Sequence, residues 1–367
     1  MMLKSKTNKK NRFNSFNYGR LSEGCKLCVK GRKSVLFITG VCPRQCFYCP
    51  ISEKKKDKDV IYINELKTEM FEKIIEEIKL CSSKGVGITG GDPLARLNRT
   101  CNFIEKLKKE FGKKFHIHLY TSLNLVNEGF LDKLYFSGLD EIRFHPDLYN
   151  SNLWYRIKLF SKYNWKVGME IPIIPSMFDR TKKLIGFVSS YVDFINLNEL
   201  EYSDNVSFEG RNLYVKDELS YAIKGSLEDG LKLMDYCKIK RIRCHVCTAK
   251  LKDSVQLANR MKLRLKKVKL WCDKKIAKNI LERYAIYIEK PGKYYQNRIK
   301  KISFQQLENL QKELKFKSVI DVKKRRLLTS KRRLKKNLLK IKNKNLFPII
   351  VKEYPTSDQF ELELEFL

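Results

Sequence analysis

The sequence predicts an α/β protein built on a partial (βα)6 barrel, and three observations lead there. Short β-branched or aromatic runs alternate with amphipathic helical stretches from residue 33 to about 200, as βα units around a parallel sheet do. Six such runs follow one another, too few for a closed eight-stranded barrel and suited to a curved, partly open one. Beyond about residue 205 the alternation stops, so the barrel is expected to end there.

The strands are expected at Ser34–Gly40, Val86–Thr89, Phe115–Thr121, Glu141–His145, Lys166–Ile173 and Phe194–Leu200. Between the first two, Leu66, Met70, Ile74, Ile75 and Ile78 share one helical face, with Glu72, Lys73, Glu76 and Glu77 on the other. Phe103, Ile104, Leu107 and Phe111 repeat that pattern. Residues 250 to 288 read mostly helical, with Cys81, Cys101 and Cys272 on apparent helices as ordinary core thiols. Residues 323 to 344 hold twelve Lys or Arg and no acid, and the last twenty-two residues alternate as strand, turn and strand. Four regions result: an N-terminal segment (1–33), the barrel (34–205), a following segment (206–260) and a basic α+β extension (261–367).

The chain has 367 residues, 43% hydrophobic with 21 Phe and 18 Tyr, enough for a sizeable core. No run approaches the roughly 18 apolar residues of a membrane span, and no apolar stretch follows the basic N-terminus, so a cytoplasmic protein without a membrane partner is expected. Eleven cysteines then point to metal or redox chemistry rather than disulfides. A net charge of +35 attracts polyanions, RNA among them, although a lysine-rich chain also carries solvated charge as a matter of course.

Directly after the first strand stand Cys42, Cys46 and Cys49, three thiols in eight residues. Soft thiolates select an iron–sulfur cluster, zinc or copper(I), and three ligands for a four-iron cube leave one iron open. A zinc loop or three unrelated buried thiols are the plainer alternatives. At the end of the second strand lies Gly90-Gly91-Asp92, whose paired glycines permit close backbone approach. Strand alternation groups His116, His118 and Tyr120, with Thr121 and Ser122 at the strand end, and groups Arg143 with His145. Glu170 lies on the fifth strand and Asn196 and Asn198 share a face of the sixth, together suggesting a wet, ligand-lined interior.

Two further half-sites remain, Cys25 with Cys28 and Cys244 with Cys247, the latter adjoining His245. Three readings stay open: a closed Zn2+ site that clamps the two segments, an auxiliary iron–sulfur cluster, or unpaired thiols.

Together CxLCxxGxKSVLFITGxCPRxCFYCP, ITGGDPL, FHIHLYT, LDEIRFHP and FINLNELE resemble a largely archaeal branch of the radical S-adenosylmethionine (SAM) superfamily, related to pyruvate formate-lyase activating enzymes. The resemblance covers roughly residues 22 to 260. It implies a radical SAM barrel with a [4Fe-4S] cluster on Cys42, Cys46 and Cys49, whose open iron chelates SAM and whose electron splits it to a 5′-deoxyadenosyl radical. It also implies an electron donor such as ferredoxin or flavodoxin. Tyr48 falls where the family sets an aromatic against adenine, and Gly90-Gly91-Asp92 where its Gly-Gly-Glu meets the SAM amino group, with Asp92 departing from the usual Glu. Thr121, Arg143, His145, Glu170, Asn196 and Asn198 complete the expected SAM cavity.

Descent from activases does not assign a substrate. The sequence reading places RNA modification, plausibly of tRNA, first because of the basic tail. A radical activase or modifier of a protein or peptide stands second, and a non-catalytic iron–sulfur or zinc protein that binds nucleic acid stands third. No GxxxxGK[ST] phosphate loop is present.

Overall fold

The computed structural model describes residues 8–203, 206, 208, 210–217 and 220–367. The chain divides into two compact units, Met1–Arg260 and Met261–Leu367.

The first unit is a ten-stranded sheet. Its strands are β1 (Phe16–Tyr18), β2 (Lys33–Phe37), β3 (Tyr62–Ile63), β4 (Leu66–Lys67), β5 (Gly85–Thr89), β6 (His116–Thr121), β7 (Glu141–Phe144), β8 (Lys166–Ile173), β9 (Phe194–Glu199) and β10 (Arg243–Cys247). They lie in the order β1-β10-β9-β8-β7-β6-β5-β2-β3-β4. All neighbours from β2 through β10 are parallel, while β1 and the β3/β4 hairpin run antiparallel at the two edges. Short antiparallel strands at both edges leave little open backbone for another chain to join.

The six expected strands are therefore present, and β10 adds a seventh parallel one, reached through helix α6 (Ser226–Ile239). Its sequence, Arg-Cys-His-Val-Cys, shows no polar alternation and so reads as a metal knuckle, and its last four residues are all buried. A strand buried on both faces loses the period that marks a half-buried one.

Helices α1 (Glu23–Val29), α2 (Phe71–Leu80), α3 (Leu97–Phe111), α4 (Glu128–Phe136), α5 (Phe178–Val188) and α6 complete the unit. In α2 Ile74 and Ile78 are fully buried, as the apolar face requires, but the helix starts later than the pattern suggested. Leu66 sits in β4, and Met70 is the exposed N-cap. The core between sheet and helices includes Ile88, Leu119, Ile142, Met169, Ile171, Ile195 and Leu197.

The inner face of the sheet is narrow and polar, and glycine makes room in it. A Cβ on Gly168 would lie 2.3 Å from the Phe194 ring, and one on Gly87 would lie 2.7 Å from His118 Nε2. Helix α1 covers the amino-terminal end of this interior. Its Ser22 cap accepts from the Cys25 amide at 3.3 Å, and Gly24 lies against the barrel's buried polar groups.

Short helices α7 (Ala249–Leu251) and α8 (Ala258–Val268) follow β10. The helix expected through residue 288 stops at 268, because β11 (Lys274–Ala277) and β12 (Ile280–Tyr287) form a hairpin, and Cys272 lies in the turn before it. The apolar run Tyr284–Tyr287 fits either structure by length, and strand pairing on both sides decides it.

The second unit is the sheet β13-β14-β12-β15-β16, with β13 (Val319–Asp321), β14 (Arg326–Thr329), β15 (Phe347–Glu353) and β16 (Glu361–Phe366). Helices α9 (Tyr295–Arg298), α10 (Phe304–Leu314), α11 (Lys331–Lys336) and α12 (Leu338–Lys342) accompany it. The basic run 323–344 thus breaks into β14 and two short helices, and the final strand, turn and strand are β15 and β16. Buried Arg326 pairs with Asp321 at 2.9 Å, Glu353 at 2.6 Å and Glu361 at 3.2 Å, and Arg283 at 2.7 Å from Glu353 and Lys324 at 3.7 Å from Glu361 bring three cations against three acids inside the unit.

Gly24 supplies a stability test. A Cβ there would lie 2.4 Å from Arg143 Nη2, 2.5 Å from His118 Nδ1 and 2.9 Å from Glu141 Oε1. Gly24→Ala should cost about 1–3 kcal/mol by overpacking, which at about 2–4 °C per kcal/mol lowers the melting midpoint by several degrees in a thermal scan. An unchanged midpoint would mean that α1 does not rest on the barrel interior.

Candidate active site

The loop after β2 carries Cys42, Cys46 and Cys49 across the carboxyl end of the sheet. Its path is fixed by backbone bonds: Gly40 donates to Lys58 O at 2.7 Å, and Asp57 donates to Gly40 O at 3.1 Å. A Cβ on Gly40 would lie 1.6 Å from Lys55 O, so only glycine lets the loop fold back here. Asp59 accepts from Thr39 at 2.8 Å and pairs with Arg96 at 2.9 Å and Arg99 at 2.6 Å, tying the loop to the helix after β5. Hydrogen bonding from Arg99 holds the Asp59 carboxyl below the usual carboxylate range.

The three thiols are half-buried and lie in one another's field. Burial pushes Cys42 up to about 11 and also raises Cys46, with the Arg44 charge opposing. Arg44 donates its backbone amide to Cys42 Sγ at 3.4 Å and its guanidinium to His145 O at 2.7 Å, and it pairs with Asp147 at 3.4 Å. These bonds set the loop against the end of β7.

Gly90 and Gly91 bring the end of β5 against the same loop. Gly91 donates to Thr39 O at 2.8 Å and Asp92 to Val41 O at 2.9 Å. Side chains would be excluded, since Cβ atoms would lie 2.5 Å from Thr39 O at Gly90 and 2.4 Å from Val41 O at Gly91. Asp92 is fully buried beneath them and accepts from Thr121 Oγ1 at 2.8 Å, Ser122 N at 3.0 Å, Ser122 Oγ at 2.7 Å and Leu94 N at 3.0 Å. Four donors explain how a carboxyl that burial pushes upward is tolerated there.

A cavity of about 400 Å³ opens between these parts. Of the expected SAM residues, Tyr48, Gly90, Gly91, Thr121, His145, Glu170 and Asn198 form its wall. Asp92, Arg143 and Asn196 lie outside that wall, all three buried. Burial lowers His145 to about 4, so its ring is neutral. Its Nδ1 lies 3.0 Å from Glu170 O and must donate, which leaves Nε2 to accept from the Tyr48 hydroxyl at 2.9 Å.

Glu170 is held from three sides, by Arg143 Nη1 at 2.7 Å, Asn196 Nδ2 at 2.8 Å and Asn198 Nδ2 at 3.0 Å. Burial alone would raise its carboxyl, but the Arg143 charge and the two amides outweigh it and hold it below the usual range. Glu141 is similar: burial opposes and Arg143 prevails, bringing it to about 2.

Among the described residues, the two further half-sites do not present all their thiols to one side of β10. Strand alternation sends Cys244 outward, where it bonds Cys237 of α6, while His245 and Cys247 face inward opposite Asn196 and Asn198. His245 Nε2 meets Ser15 Oγ at 3.0 Å, and Cys247 packs on Val29 and Leu251. Cys25 accepts from Asn196 at 3.3 Å and Arg143 at 3.7 Å, and Cys28 is half-buried on the same helix. Because Cys244 faces away from both, a clamp using it with His245 or Cys247 is not built, whereas Cys25, Cys28 and Cys247 lie within one another's electrostatic reach.

Comparison with known proteins settles the family. The radical SAM superfamily model matches residues 36–172. A Methanocaldococcus jannaschii protein, provisionally described as a glycyl-radical enzyme activating enzyme, is 47% identical over 263 residues, which cover 69% of this chain and 70% of the relative. The chain belongs to the radical SAM superfamily. Among solved structures, methylornithine synthase is 15% identical with a TM-score of 0.39, covering 59% of this chain and 70% of its own. Coproporphyrinogen III oxidase from Escherichia coli is 11% identical with a TM-score of 0.35, covering 60% and 56%. Scores this low leave the assignment resting on the sequence match.

This radical SAM enzyme uses a [4Fe-4S] cluster and SAM. No three His, Cys, Asp or Glu among the described residues converge as on a single ion. A four-iron cube does not require that, because its three thiolates bind three different irons. The donor chemistry of Cys42, Cys46 and Cys49 at the cavity wall therefore fits the cluster. When bound and reduced, the cluster supplies the electron that cleaves SAM. Tyr48, His145, Glu170 and Asn198 line the space beside it.

Sequence reasoning did not find Arg44, Asp59, Lys252 or Glu201. Lys252 and Glu201 form an ion pair at the cavity wall, though they are 51 residues apart. Arg44 lies inside the cysteine motif, and a cation set between candidate ligand cysteines was the available signal.

The Glu141 carboxyl yields a pH prediction. Its pKa is depressed on folding, so its contribution to stability is complete above the ordinary value of 4.5 and is lost as pH falls toward about 2. Urea midpoints measured from pH 6 to pH 3 should fall, and Glu141→Gln should be less stable at pH 6 with a shallower acid decline. Parallel declines in the two proteins would assign the acid sensitivity elsewhere.

Proposed function

We propose that this enzyme is an activase, which removes a hydrogen atom from a glycine of a protein partner. The observation that carries the reading is the 47% identity with the M. jannaschii protein over most of both chains. The cavity extends from the cysteine loop past Glu170 to Glu199, Glu201 and Lys252, with Ile171, Pro172 and Leu200 also lining it. We place the enzyme in the cytoplasm, supplied by a low-potential carrier such as ferredoxin or flavodoxin. Among the described residues no helix is long and apolar enough to cross a membrane.

The test is anaerobic reconstitution with dithionite, SAM and a glycyl-radical enzyme from the same organism. Expected are 5′-deoxyadenosine and a glycyl radical by electron paramagnetic resonance, absent when the partner's glycine is alanine. SAM cleavage stimulated by RNA and not by the protein would sink the activase reading.

Replacing Cys42, Cys46 or Cys49 by Ala should lower iron from about four per chain to near zero and abolish deoxyadenosine release. Cys81→Ala should retain both. About eight irons in the unmodified protein would instead indicate an auxiliary cluster.

A second reading, RNA modification, is favoured by one feature of the second unit. Residues 261–367 hold 30 Lys or Arg against 11 Asp or Glu, and α11 and α12 expose Lys331, Arg332, Arg333, Lys335, Lys336 and Lys340. Trp271 is 47% exposed, with Lys317 Nζ 4.8 Å and Arg333 Cζ 5.5 Å from its ring. An exposed ring among cations is a stacking platform for unpaired bases. If RNA is bound there, Trp271→Ala should weaken single-strand affinity roughly tenfold at fixed salt in a filter-binding titration. Unchanged affinity would leave only nonspecific charge.

A further inference from the structure

Arg143 is the largest fully buried side chain of the barrel interior, yet it does not reach the cavity. Its guanidinium lies between two carboxylates, Glu141 at 2.5 Å and Glu170 at 2.7 Å, of which only Glu170 lines the cavity. The remaining donors meet the Tyr120 hydroxyl at 3.0 Å, Ser22 Oγ at 3.0 Å and Cys25 Sγ at 3.7 Å. Three of these five partners, Glu141, Ser22 and Cys25, lie away from the cavity wall, and two of them come from α1.

We propose that Arg143 is a positioning residue, locked by Glu141 and by Ser22 and Cys25 of α1, that holds the Glu170 carboxylate in place at the wall of the SAM cavity. The inference rests on the reading that Glu170 faces SAM. A planar fork can grip two carboxylates and two neutral acceptors at once, which an ammonium cannot. Glu170 Oε2 takes both Arg143 and Asn196 while Oε1 takes Asn198, so the guanidinium from one side and the two amides from the neighbouring strand together fix its direction. An ionised carboxylate is an acceptor only, so its free lone pairs take hydroxyl or ammonium donors of the cofactor.

Without the guanidinium, burial is left as the dominant influence on Glu170 and drives its carboxyl upward. Other groups that act on Glu170 do not replace the charge. His145 and His245 are neutral by burial, and Tyr120, Cys25, Cys28 and Cys247 are all raised by burial and stay protonated. Lys252 is already paired with Glu201.

The experiment is SAM affinity from pH 6 to pH 9 on the reconstituted full-length enzyme, with iron content as the control. In Arg143→Met, affinity at pH 7 should fall roughly tenfold or more, the scale of a lost charged hydrogen bond, and recover as pH rises and Glu170 ionises. The unmodified enzyme should show only the pH dependence that the SAM amino group itself brings, so the excess dependence of the variant over it is the readout. Iron should stay at the unmodified level in both. An unchanged affinity, or a loss that does not depend on pH, overturns the proposal.

Should Arg143→Met fail to fold, Arg143→Lys decides. It keeps the charge but cannot span both carboxylates, so a several-fold loss with no excess pH dependence is expected, and unchanged affinity overturns the proposal. Glu170→Gln separates the two levels of the argument. Normal SAM affinity in that variant means Glu170 does not face SAM and the cavity reading fails. Impaired Glu170→Gln beside a normal Arg143 variant means that only the positioning role fails.

Discussion

The paired carboxylates around Arg143 are the constraint on which the barrel depends. A guanidinium buried in a narrow sheet interior is tolerated only if its charge and donors are met, and Glu141, Glu170, Tyr120, Ser22 and Cys25 meet them. Those partners come from β7, β8, β6 and the segment that starts α1. Satisfying one side chain thus fixes how three central strands and the N-terminal helix stand to each other. Glycine at positions 24, 87 and 168 is the steric counterpart, since any Cβ there would strike a polar or aromatic group of this interior.

At the opposite end the same logic serves chemistry. The cysteine loop is held by backbone bonds to Gly91 and Asp92, by the Asp59 ion pairs, by Arg44 and by the buried Tyr48 ring. A loop fixed in this way keeps its three thiols at a cavity wall. The polar wall formed by Glu170, Asn198 and His145 is connected by direct bonds to the interior beneath it, so cavity geometry and barrel stability share residues.

The second unit handles charge differently. Its buried acids Asp321 and Glu353, with partly buried Glu361, are consumed by Arg326 and Arg283, while its exposed helices carry almost only Lys and Arg. Internal neutralisation beside external excess is why a strongly basic composition is compatible with a folded antiparallel sheet.

Sequence alone determined the features that depend on neighbours along the chain. The cysteine spacing, the Gly-Gly-Asp turn, six of the parallel strands and the closing β15/β16 pair were legible because local pattern and local chemistry define them. It could not determine β10, whose burial on both faces removes the alternation, nor the β11/β12 hairpin, whose apolar run suits helix or strand equally. It grouped Arg143 and Asn196 on inward faces and set Asp92 in the glycine turn, but whether these residues line the cavity or support it depends on depth, which a strand pattern does not encode. The two CxxC half-sites show the same limit, since spacing suggests ligands while only the paired sheet reveals that Cys244 faces away from Cys247's side. Contacts between residues far apart in sequence, such as Ser22 with Arg143 or Glu201 with Lys252, arise only when the strands are ordered, and tertiary structure alone decided them.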